Sequence, residues 1–160
     1  MFKTILVALD GGEISEKALF FAQEIAARFG SEVRLLHVVS EFNDNLIAYD
    51  PVLPILREPA RIEREPAIQS ARLYLERLAR ALKEKQISVF SFVEFGDAAD
   101  TILERAREKD VELIVMTSHS RRGLKRLVLG SVAEKVTRLA PCPTLTIAGE
   151  SLMAPEAAGA

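Results

Sequence analysis

The chain has 160 residues, 49% of them hydrophobic and 28% charged, with a formal net charge of −2. That length suits one self-sufficient domain, and that balance excludes a fibrous or disordered chain and leaves no bulk positive charge to recruit nucleic acid. Cys142, the single cysteine, has no partner for an internal disulfide and no zinc-ligand spacing around it, and no apolar run is long enough to span a membrane, so a cytoplasmic protein is expected.

Taken in chain order, Ile5 to Leu9 is a short apolar run that stops at Asp10-Gly11-Gly12, the pattern of a strand buried on both faces and ended by a turn. Ala18, Phe21, Ala22, Ile25, Ala26 and Phe29 then recur at helical spacing, and Gly30 is placed to terminate that helix. Val33 to Val39 reads as a second strand. Ile68, Ala71, Leu75, Leu78 and Leu82 predict a long second helix with Pro66 near its first turn. The segment between them, about residues 40–65, carries Pro51, Pro54 and Pro59 and is expected to be a lid-like connection. Val89 to Phe95 is a third strand, Asp97 is suited to cap a helix running to about Lys109, and Val111 to Met116 is a fourth strand. Ser131 opens the last helix and Thr144 to Ile147 is the last strand, behind two prolines that favour a sheet edge. Residues 1–148 are thus expected to form one α/β domain, followed by a disordered tail over 149–160.

Strands alternating with helices imply right-handed crossovers and a mainly parallel sheet with helices on both faces. Ligands of such sheets bind beyond the carboxyl ends of the strands, where strand order reverses. Two loops are therefore of interest, Asp10 to Glu13 and Thr117 to Gly130. The second is rich in hydroxyls and cations. It leads into Gly130-Ser131 at a helix start, where backbone N–H groups attract anions and a glycine permits close approach of a phosphate. Ser131 and Glu134 also have the spacing of a capping box, which needs no ligand.

The stretch MTSHSRRGLKRLVLGSVAEKVTRLAPCPTLTI, together with KTILVALDGGEISEKAL and LLHVV, resembles the universal stress protein family from about Lys3 to Ile147. The resemblance implies a five-stranded parallel sheet of order 3-2-1-4-5, dimerisation through the last strand, and a site for ATP or AMP, with or without Mg²⁺. Nucleotide-binding members carry G-x-x-G, nine residues, then G-[S/T]. Thr117, Ser120, Gly130 and Ser131 stand at those positions, so the spacing is kept while two glycines are replaced by hydroxyl residues. By the same resemblance Asp10 would meet the ribose, Val38 the adenine through its backbone, and Ala8, Leu9, Met116 and Leu129 the base. His119 is a candidate phosphate donor, and Val132 follows Ser131 at the same helix start.

Simpler roles exist for several of these residues. Asp-Gly-Gly is a turn signal by itself, Val38 reads as a buried strand residue, and His37 as a satisfied buried histidine. Arg121, Arg122, Lys125 and Arg126 could neutralise a triphosphate or face solvent. Three functions compete: a homodimeric, stress-associated nucleotide sensor without enzymatic activity, a family member acting through protein contacts alone, and a slow ATPase. The last lacks a visible general base, and the acidic pair and lysine of a response-regulator receiver are missing. No metal site and no membrane partner are expected.

Overall fold

A computed structural model describes residues 2–40, 63–108, 110–118 and 129–148. In chain order it contains β1 (Thr4–Leu9), α1 (Glu13–Phe29), β2 (Glu32–Val39), α2 (Arg64–Glu84), β3 (Val89–Phe95), α3 (Ala98–Ala106), β4 (Leu113–Thr117), α4 (Ser131–Leu139) and β5 (Thr144–Ile147). All strand pairs are parallel and the sheet order is β3-β2-β1-β4-β5. The fold is the single α/β domain expected, with β1 at its centre.

Period-two alternation along each strand divides the core into two layers. Ile5, Val7, Val33, Leu35, Leu113 and Val115 face α1 and α2, while Leu6, Leu36, Ile114 and Met116 face α3 and α4. Register keeps each layer continuous, with Ile5 opposite Val33 and Leu113, and Val7 opposite Leu35 and Val115. On α1 the buried positions Ala18, Ala22 and Ala26 recur every fourth residue, and their small side chains let the helix lie close on the sheet. On α2, Leu75, Leu78 and Leu82 supply the bulk. Each such fully buried leucine contributes about 1.5–3 kcal/mol relative to leaving it in water.

Local chemistry sets the element ends. Gly30 adopts the left-handed conformation at φ 67° and its N–H donates to the Ala26 carbonyl at 2.8 Å, closing α1 as the sequence predicts. Asp97 caps α3 by accepting from the Asp100 N–H at 2.9 Å. The α3 helix stops at Ala106 rather than about Lys109, because the Arg107 and Glu108 N–H groups turn back onto Leu103, Glu104 and Arg105. Val111 donates to the Glu108 carbonyl at 3.2 Å, which keeps it out of the ladder, so the fourth strand begins at Leu113. Glu63 is the N-cap of α2 and Arg64 and Glu65 already belong to that helix, while residues 41–62 of the lid-like segment, like the tail from Gly149, lie outside the described residues.

Charge pairs pin the surface of this frame. Arg34 of β2 reaches Glu32 at 2.9 Å and Glu108 at 3.2 Å, and Arg105 of α3 pairs with Glu94 and stacks over the Phe92 ring. Among the described residues no helix is long and apolar enough to cross a membrane.

Candidate functional site

Strand order reverses between β1 and β4, and the chain leaves their carboxyl ends toward opposite layers. A cleft opens there, as expected for open parallel sheets. Ala8 and Leu9 of β1, Leu36 and Val38 of β2, Met116 of β4 and Ala98 and Ile102 of α3 form its apolar walls. Asp10, Ser15, Thr117, Ser118, Gly130, Ser131, Val132 and Ala133 complete it. An apolar slot therefore ends in a rim of hydroxyls and backbone at the start of α4.

Two turns build that rim. At the end of β1 the Asp10 carboxylate accepts the Gly12 N–H at 2.8 Å, and Gly11 takes φ 80°, a conformation that side chains disfavour. The turn-forming role read for Asp10 is real, and the residue lines the cleft as well. Ser15, buried in the first turn of α1, donates its hydroxyl to the Gly12 carbonyl at 2.7 Å and accepts from the Asp10 N–H at 3.3 Å.

At the end of β4, Ser118 donates its N–H to Ile147 of β5 at 2.8 Å, and its carbonyl accepts the Gly130 N–H at 2.8 Å. A Cβ added at Gly130 would sit 3.0 Å from that carbonyl, which explains the need for glycine. Gly130 is the N-cap of α4, and among the described residues no side-chain hydrogen bond caps the helix. The capping box read for Ser131 and Glu134 is thus corrected. Ser131 is the first helical residue, one position too late to cap, and Glu134 spends its N–H on the Gly130 carbonyl at 2.9 Å. Ser131, Val132 and Ala133 supply the first three N–H groups of α4 on the cleft side.

Of the residues singled out in the sequence, Ala8, Leu9, Asp10, Val38, Met116, Thr117, Gly130, Ser131 and Val132 come together in the cleft. Leu129 does not: it is 42% exposed and absent from the walls. His119, Ser120 and the cations from Arg121 to Arg126 lie outside the described residues. Thr117 ends β4 in register with Ile147 and avoids positive φ, so no backbone strain opposes a side chain there. Val38 is only half-buried, consistent with a wall position. His37 is likewise half-buried rather than buried, and packs edge-on against Tyr74 at 5.9 Å.

Sequence reasoning missed Ser15, Leu36, Ala98, Ile102, Ser118 and Ala133. A signal existed for two of them, since Ala98 and Ile102 have the i, i+4 spacing of one helix face pointing into the slot.

Charges beside the cleft are held by neighbours. Lys135 of α4 reaches Asp100 at 2.7 Å and Asp97 at 3.7 Å, tying the starts of α3 and α4 together. The hydrogen bond from Lys135 lowers the Asp100 carboxyl below its ordinary range, and the same bond raises the Lys135 ammonium. Behind Ser15, burial raises the Tyr74 phenol, and the nearby Ser15 hydroxyl offsets part of this although the two form no hydrogen bond of acceptable geometry. Burial also raises the Cys142 thiol. Among the described residues no group of three His, Cys, Asp or Glu side chains could hold a metal ion.

This strand order occurs in a known class of small α/β proteins. The universal stress protein family model matches residues 1–148, and the chain belongs to that family. Among individual members, universal stress protein YxiE of Bacillus subtilis is 34% identical over 151 residues, spanning 92% of this chain and 99% of the relative. The solved structure of MJ0577, a universal stress protein of Methanocaldococcus jannaschii, aligns with a TM-score of 0.74 at 27% identity, covering 92% and 96% of the two chains. A universal stress protein of Archaeoglobus fulgidus in complex with dAMP shares the fold, with a TM-score of 0.64, 19% identity and coverage of 92% and 98%.

Proposed function

We propose that this universal stress protein is a homodimeric regulatory or sensor module that binds an adenine nucleotide, ATP or AMP, in the cleft between β1 and β4. The observation that carries the reading is the union of an apolar slot with the N-terminus of α4, whose N-cap is a glycine and whose first three residues line the slot. An aromatic base suits the slot, and a phosphate suits backbone N–H groups at a helix start. In this reading Ala8, Leu9, Val38 and Met116 hold the base, and Asp10 accepts from the ribose hydroxyls. Thr117, Gly130, Ser131 and Val132 face the phosphates, with Mg²⁺ as counter-ion where a triphosphate is bound. The dAMP complex of the Archaeoglobus relative supports this ligand class. Because β5 lies at a sheet edge, its outer backbone groups are suited to pair with a second copy.

Thermal denaturation and calorimetry with ATP or AMP test the proposal. A ligand at a hundredfold excess over its Kd stabilises the folded state by about 2.7 kcal/mol, which for a chain of this size raises Tm by about 5–10 °C. Absence of both a Tm shift and heat of binding at millimolar nucleotide, with and without Mg²⁺, would reject nucleotide binding and favour a member that works through protein contacts alone.

A further inference from the structure

We infer that Ser15 is a positioning residue that makes the cleft prefer ribonucleotides over 2′-deoxyribonucleotides, an inference that rests on the adenine-nucleotide reading above. The Asp10-Gly11-Gly12 turn must present a carboxylate to the sugar while also closing itself. Asp10 Oδ1 is engaged in closure through the Gly12 N–H at 2.8 Å. Ser15 Oγ supplies the remaining closure from outside the turn, donating to the Gly12 carbonyl at 2.7 Å and accepting from the Asp10 N–H at 3.3 Å. The Ser15 N–H adds a bond to the same Gly12 carbonyl at 3.0 Å. Only 2% of Ser15 is exposed, so water does not readily replace its hydroxyl.

The consequence falls on the sugar. An ionised carboxylate is acceptor-only and can serve both hydroxyls of a ribose if its plane is fixed, whereas a deoxyribose offers it one hydroxyl fewer. Removing the Ser15 hydroxyl leaves the Asp10 N–H without that acceptor and the turn closed by the carboxylate and the Ser15 N–H. The carboxylate plane then rotates with the turn, and the contact it loses first is the one requiring fixed geometry.

The test measures Kd for ATP and for dATP by calorimetry on the full chain, in the parent, Ser15→Ala and Gly11→Ala proteins. Since a hydrogen bond to a charged group is worth a factor of about ten or more, the parent should bind ATP about tenfold more tightly than dATP. In Ser15→Ala the ATP affinity should fall by about that factor while dATP changes little, bringing the ratio toward one. Equal weakening of both ligands with the ratio intact would make Ser15 merely structural and overturn the inference alone. So would a parent with no preference between the two. Absence of binding by the parent would overturn both this inference and the nucleotide reading. If Ser15→Ala fails to fold, Gly11→Ala decides by the same ratio, because a side chain at φ 80° disturbs the same turn.

Discussion

Helices α3 and α4 begin side by side on one face of the sheet, tied by Lys135 to Asp97 and Asp100, yet their first turns are finished differently. The α3 helix satisfies itself, with the Asp97 carboxylate on the Asp100 N–H. The α4 helix has glycine at its cap and takes no side-chain bond, although Ser131 stands one residue away. An N-cap without a side-chain bond is the commoner arrangement, found also at Gly12 of α1 and Glu63 of α2, so the Asp97 cap of α3 is the exception among the described helices. What sets α4 apart is that its first three residues, Ser131, Val132 and Ala133, all line the cleft, whereas α3 contributes Ala98 and Ile102 to it.

The largest expected way to break this comparison is Gly130→Ala. The new Cβ would crowd the Ser118 carbonyl at 3.0 Å, and overpacking of this kind costs about 1–3 kcal/mol. Denaturant unfolding should show the loss, and calorimetry should show weaker ATP binding because the start of α4 must shift. Next in size is Asp97→Ala, which removes a side-chain cap and should cost about 1 kcal/mol with nucleotide affinity unchanged. If affinity falls with it, the two helix starts are coupled and the contrast between them is too sharp. The smallest effect concerns the ion pair between them. The folded-state carboxyl of Asp100 titrates below its unfolded value, so its stabilising contribution is present above the ordinary carboxylate range and is lost as pH falls through the lowered value. The Tm difference between the parent and Lys135→Met should therefore be found at neutral pH and vanish in strong acid.

Much of the frame was legible because it is written locally. Apolar runs marked the strands, with β3 and β5 found at their observed limits, and Gly30 and Asp97 acted as the stop and start signals that their chemistry predicts. The site was legible where the family motif spans it and not elsewhere. Ser118 acquires its role from β5, which pairs only once the sheet is assembled, and Ser15 acquires its role from a turn whose closure depends on three residues at once. Ser131 and Glu134 illustrate the opposite failure. Their spacing satisfies a capping pattern, but the backbone bond from Gly130 to Ser118 sets the helix start one residue too early for it.

That Ser118 linkage has a mechanical meaning. One residue holds the outermost strand with its N–H and the beginning of α4 with its carbonyl, each at 2.8 Å. The N–H lies in the planar peptide unit before the Ser118 Cα and the carbonyl in the unit after it, so only the φ and ψ of Ser118 separate the strand contact from the helix contact. The edge of the sheet and the start of α4 are thus joined through one residue, whose two backbone dihedrals set the position of one against the other.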